Sequence, residues 1–146
     1  MYDTVLLATD GSACADRAAE RAIDLAATYG ADLHAIYAIE TRTAYDTAIV
    51  ERDEVEANLR AEGETILDDV ADRAAEAGVE ATTAIEMGVP ADVIEASTEA
   101  HDADVIVLGR RGRSKLRRAL LGSTTDALVR ESPVPVMVVG EEEEAS

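Results

Sequence analysis

The chain has no tryptophan, no phenylalanine and a single cysteine among 146 residues. Each scarcity excludes something. With Cys14 alone no intrachain disulfide can form, and that usage fits a reducing compartment. Without Phe or Trp, and with Ala supplying much of an apolar fraction of 47%, small residues on helices and branched aliphatics in strands must fill any core. That fraction is still well above what a disordered chain carries. No apolar run reaches the ~18 residues that a membrane-spanning helix needs. Met1-Tyr2-Asp3-Thr4 shows no basic segment followed by an apolar one, so no secretory signal is expected and the cytoplasm is the expected location. The length predicts one domain over residues 1–140, followed by an acidic, solvated and disordered tail over 141–146.

What the sequence has in excess is acid. It carries 31 Asp and Glu against 13 bases, a net charge of −18, and every base but Lys115 is Arg. A field of that sign opposes general binding to nucleic acid or to an anionic membrane, so neither is expected as a partner. The acid-rich, lysine-poor, alanine-rich composition resembles that of cytoplasmic proteins from salt-in halophiles, where molar salt screens the self-repulsion.

Apolar runs alternate with helical periodicity along the chain. Val5–Ala8 reads as a short buried strand, and Ser12 as the N-cap of a helix from Ala13 to Tyr29 that Gly30 closes. Leu33–Ile39 is a second strand and residues 40–52 a polar surface loop. A long helix is predicted from Asp53 to Ala77, with Val55, Leu59, Ile66, Val70 and Ala74 at helical spacings and Gly63 marking a bend. Glu80–Ile85 is a third strand, and Pro90 suits the first turn of the helix that follows. Val105-Ile106-Val107-Leu108, within a fourth strand from Asp104 to Gly109, is continuously apolar, as a strand covered on both faces requires. Ser123 is read as the cap of a helix reaching Arg130, and Val134–Val139 as the fifth strand. Five strands with four intervening crossovers predict an α/β fold, a parallel sheet covered by helices on both sides. Ligands of such sheets bind beyond the carboxyl ends of the strands, which selects Asp10, Ile39-Glu40 and the segment from Gly109 onward.

That last segment carries the chemistry. Gly109 and Gly112 follow the buried fourth strand, where a side chain would block a ligand from the backbone. Gly122 precedes a helix start whose first N–H groups lack internal partners and lie at the positive end of the dipole. The hydroxyls of Ser123 and Thr124 add donors, or a ligand for a phosphate-bound magnesium ion. Arg110, Arg111, Arg113, Lys115, Arg117 and Arg118 crowd six of the 13 bases into this stretch, leaving seven to set against 31 acids elsewhere. A polyanionic ligand explains such a concentration, as does an acidic partner. Other nucleotide signatures are missing: there is no Gly-x-x-x-x-Gly-Lys-Ser/Thr, and no Gly-x-Gly-x-x-Gly follows the first strand. The acids and late lysine of a phosphoacceptor domain are absent, and no Ser or Cys has a His–acid pair.

Gly-x2-Gly-x9-Gly-Ser, at Gly109, Gly112, Gly122 and Ser123, resembles the nucleotide-binding signature of the ATP-binding branch of the universal stress proteins. Thr9-Asp10-Gly11-Ser12, Asp104–Gly109 and Ser132–Val139 are similar to three further family motifs, in family order, and the likeness spans residues 1 to about 140. It implies a Rossmann-like, three-layer α/β/α fold of the adenine nucleotide alpha hydrolase type, with strand order 3-2-1-4-5. It also implies ATP, with magnesium, as the cofactor. Ala8 and Asp10 would line the adenosine side, with the Asp10 carboxylate near the ribose hydroxyls or the metal, and Ala38 would offer backbone to the adenine edge. Leu108 and Gly109 would close over the nucleoside, while Arg111, Gly112, Gly122, Ser123 and Thr124 would hold phosphates. Ala8 stands where Pro is frequent in the family, and Arg111 where His is, an exchange that strengthens pairing with phosphate.

The resemblance further implies a homodimer through Val134–Val139, an apolar strand whose Pro135 suits an edge. A nucleotide-responsive regulatory role is the leading expectation, with slow ATP hydrolysis or a nucleotide-free interaction protein as alternatives. Cys14 reads as a small structural thiol. His34, inside a strand, and His101, after a helix, have no His, Cys or carboxylate at ligand spacing along the chain and read as structural.

Overall fold

The computed structural model describes residues 2–40, 49–110 and 121–140. Residues 41–48 of the expected surface loop, most of the basic segment (with Arg111 and Gly112) and the acidic tail lie outside the described residues. The elements run β1 (Thr4–Ala8), α1 (Ala13–Tyr29), β2 (Asp32–Glu40), α2 (Ile49–Glu76), β3 (Ala81–Gly88), α3 (Pro90–Ala100), β4 (Val105–Gly109), α4 (Ser123–Glu131) and β5 (Val136–Val139). The five strands are all parallel in the order β3-β2-β1-β4-β5, the architecture that the alternation of strands and helices demanded.

Successive side chains of a strand point to opposite faces, and the two central strands feed two cores accordingly. Val5, Leu7, Val105 and Val107 pack under α1 and α2 with Ala18, Ala22, Leu67, Val70 and Ala74. Leu6, Ala8, Ile106 and Leu108 pack under α3 and α4 with Ala91, Ile94 and Leu128. The alanines of α1 let that helix lie close to the sheet. Tyr37, on β2, is a buried aromatic of the first core. A Cβ on Gly63 would come within 2.6 Å of its ring. Gly63 therefore does not interrupt the helix: α2 runs through it, and the missing side chain is the seat of the tyrosine.

Local signals set most ends. Ser12 Oγ accepts the Ala15 N–H at 3.2 Å, and Gly30 closes α1 in the left-handed region; Pro90 opens α3. Several boundaries differ from expectation. The long helix begins at Ile49, inside the expected loop, and β3 extends to Gly88. The last strand begins at Val136, because Ser132 Oγ donates to the Val134 carbonyl (2.8 Å) and accepts its N–H (3.1 Å), holding Pro133-Val134 in a turn. The cap of α4 is Gly122, and Ser123 is already its first helical residue.

Candidate functional site

The strand order reverses between β1 and β4, which run side by side with Ala8 opposite Leu108. Beyond Ala8 the chain stays on β2 through the Thr9 N–H, bonded to the Ile36 carbonyl at 3.0 Å. It then turns at Gly11 with φ +79°, a conformation that suits glycine. Thr9 Oγ1 accepts the Gly11 N–H at 3.2 Å, and Asp10 Oδ1 accepts the Ser12 N–H at 2.9 Å. The Asp10 carboxylate is thus fixed at the mouth of the crevice by the turn that starts α1.

Across the crevice the end of β4 is tied to α4. Thr125 Oγ1, buried, donates to the Gly109 carbonyl at 2.8 Å, and the Gly122 N–H donates to the Arg110 carbonyl at 3.0 Å. That second bond closes the base of the basic segment, bringing Arg110 and Gly122 together across the residues between them. Arg110 is itself held by its N–H on the Val139 carbonyl, at 2.7 Å. Gly122 is buried, Thr124 half-buried and Ser123 exposed. Because Gly122 caps α4 without a side chain, the first turn presents its N–H groups at the carboxyl edge of the sheet.

The structure therefore gathers Ala8, Asp10, Leu108, Gly109, Gly122, Ser123 and Thr124 at one end of the sheet. Ala38 lies on β2, opposite Glu86 of β3 and two residues beyond Ile36. The structure adds a packing reason for a glycine at 109. A Cβ there would lie 2.7 Å from Cys14 Cβ and 2.9 Å from the Cys14 carbonyl carbon, so it is the first turn of α1 that excludes a side chain. Sequence reasoning also passed over Thr125, next to the two hydroxyl residues it chose and the one that grips β4.

The opposite end of the sheet holds a second constellation that sequence spacing could not show. His34 on β2 and His101 at the end of α3, read separately as structural, meet with Nε2 atoms 3.1 Å apart, and His34 Nδ1 lies 2.7 Å from Thr82 Oγ1 on β3. Burial, and secondarily the nearby His101, lower the His34 pKa from 6.5 to about 4, so its ring is neutral at pH 7. Asp104 Oδ2 accepts the N–H groups of Asp3 (2.7 Å) and Thr4 (3.0 Å), and the bonds from Thr4 and Asp3 hold its carboxyl below the usual carboxylate range.

The model of the universal stress protein family matches residues 1–140. The universal stress protein MJ0531 of Methanocaldococcus jannaschii is 34% identical over 140 residues, covering 95% of this chain and 82% of that protein. Among solved structures, hypothetical protein MJ0577 superposes with a TM-score of 0.87 at 25% identity, over 99% of both chains. A universal stress protein in complex with cAMP superposes with a TM-score of 0.74 at 30% identity, over 97% of this chain and 99% of its own.

Proposed function

Because the chain belongs to the universal stress protein family, we propose that it binds ATP in the crevice between β1 and β4 and acts as a nucleotide-responsive regulatory module of the stress response. The observation that carries this reading is the start of α4. A helix capped by a bare glycine, fastened to the end of a buried central strand, follows a segment with six cations in a chain of net charge −18. Helix N–H groups, hydroxyls and guanidinium groups all favour polyanions. The similar protein with cAMP bound supports an adenine nucleotide as that anion.

In this reading Ala8 and Asp10 face the adenosine, Ala38 the adenine edge, and Leu108 and Gly109 the nucleoside. Arg111, Gly112, Gly122, Ser123 and Thr124 hold the phosphates. Magnesium would enter with the nucleotide. Asp10 or the hydroxyls of Ser123 and Thr124 would supply its protein ligands. When bound, the ion screens phosphate charge. β5 is an edge strand with Met137 38% exposed. We assign that apolar edge to a homodimer, which gel filtration in molar potassium chloride would show as twice the chain mass and a monomer would refute.

Calorimetric titration with ATP and magnesium chloride in molar potassium chloride tests the site. Gly122→Val places a side chain in the phosphate path at φ −64°, a backbone conformation valine tolerates, so affinity should fall at least a hundredfold while the chain still folds cooperatively. Unaltered affinity overturns the assignment. Arg111→Ala should weaken ATP more than adenosine, and the nucleotide should survive prolonged incubation. Turnover abolished by Asp10→Ala would instead identify an ATPase.

A further inference from the structure

We infer that Arg110 is a phosphate-reading residue of the crevice, its guanidinium closing on the anion that the first turn of α4 faces. The inference rests on the nucleotide reading above and adds to it a side chain at an unspecified position of the glycine motif. Its placement, its direction and its want of another partner all point the same way. Both backbone groups of Arg110 are engaged: the N–H donates to the Val139 carbonyl at 2.7 Å, and the carbonyl accepts the Gly122 N–H at 3.0 Å. The residue is thereby pinned between the end of the sheet and the cap of α4, a rigid base that lowers the cost of ordering a side chain on a ligand.

Direction follows from the strand. The bond to Val139 carries the ladder as far as residue 110, and successive residues of a strand face opposite sides. A Cβ on Gly109 would meet Cys14 of α1. Arg110 therefore projects to the other face, where Ile106 and Leu108 pack in one cluster with Leu128 of α4. Six side-chain bonds of about 1.5 Å carry a guanidinium roughly 7 Å from its Cα. The first turn of α4 is about 5 Å long, so its free N–H groups and the guanidinium reach a common point. A half-buried cation also calls for a counter-charge. Arg73 and Arg130 find theirs in Asp16 and Asp126, whereas among the described residues no carboxylate pairs with half-buried Arg110. Residues 111–121 contain neither Asp nor Glu. The counter-charge is then the ligand's, and a phosphate offers the paired oxygens that a guanidinium fork takes up in two parallel bonds.

Calorimetry on the full chain in molar potassium chloride and magnesium chloride, with ATP and adenosine as paired probes, tests the assignment. Arg110→Gln should weaken ATP by about tenfold or more, the worth of a hydrogen bond to a charged group, and leave adenosine within about twofold. The melting midpoint of the ligand-free chain should not move, because the backbone of this residue and not its side chain holds the fold. Arg110→Lys, which keeps the charge and loses the fork, should fall between the glutamine variant and the parent. A structural arginine would instead lower the midpoint and weaken both ligands alike, which overturns the inference. So does an Arg110→Gln chain that binds ATP as tightly as the parent; the nucleotide reading then stands, since the parent's own titration decides it. A parent chain that takes up no ATP overturns both.

Discussion

The two ends of the sheet solve opposite problems. A parallel sheet ends in unpaired carbonyls at one edge and unpaired N–H groups at the other, and both need partners. At the carboxyl edge the partners are donors: the Thr125 hydroxyl on the Gly109 carbonyl and the Arg110 N–H on the Val139 carbonyl. At the amino edge they are acceptors, chiefly the Asp104 carboxylate, which takes the N–H groups of Asp3 and Thr4. The polarity of the backbone thus sets opposite hydrogen-bonding demands at the two ends, and different side chains meet them.

The strongest way to break this contrast is at Gly109. Its absent Cβ is the space occupied by Cys14 Cβ and the Cys14 backbone, at 2.7 and 2.9 Å. Backbone cannot give way as a flexible side chain can. Gly109→Val should therefore cost about 3 kcal/mol or more of stability in urea denaturation, with nucleotide binding weakened alongside. A variant as stable as the parent but unable to bind ATP would show instead that the position serves ligand approach alone.

This difference in reasons marks what the sequence could reveal. Strand count, parallel topology and the caps at Ser12 and Gly30 were legible because each rests on local chemistry: continuous apolar runs, a hydroxyl before a helix, a glycine after it. The carboxyl-edge residues were legible because glycines and cations mark them in one stretch. The purposes of Gly63 and Gly109 were not, since each depends on what another element presses into the space, the Tyr37 ring in one case and α1 in the other. Nor was the histidine pair, whose members lie 67 residues apart in sequence and meet only because α3 returns its end to the start of β2. Long-range juxtaposition leaves no periodic trace.

At the amino end the sharper test is acid. His34 protonates near pH 4 in the folded chain against 6.5 ordinarily, so between those values the unfolded chain binds the extra proton. Stability must then fall as pH drops from 6.5 toward 4 and level off below. The loss reaches about 3 kcal/mol at most, in metal-free solution and molar potassium chloride. His34→Gln should abolish that segment of the difference curve; an identical slope in the variant would show that the ring titrates as it does in water. Asp104 acts lower on the scale. Its depressed carboxyl contributes stability above the ordinary carboxylate value of 3.8, which is lost as pH falls through the folded value. Asp104→Asn should leave the histidine step untouched and remove the acid one.

The smallest expected effect separates two neighbours at the carboxyl end. Thr124 and Thr125 share a turn of α4 and a side-chain chemistry, but Thr125 is buried and its hydroxyl donates at 2.8 Å to the last carbonyl of β4, while Thr124 is half-buried at the helix start. Valine replaces threonine with nearly the same shape, so only the hydroxyl is lost. At 125 the substitution leaves the Gly109 carbonyl buried and short of a donor, which should cost about 1–2 kcal/mol and loosen ATP by a few fold as α4 shifts on the sheet. At 124 the fold should keep its stability within about 0.5 kcal/mol, while ATP, and not adenosine, binds more weakly. The two variants thus exchange their readouts, one moving the denaturation midpoint and the other the calorimetric affinity. If both moved the midpoint alone, the hydroxyls at the start of α4 would all belong to the scaffold, leaving the phosphates to the backbone N–H groups and the arginines.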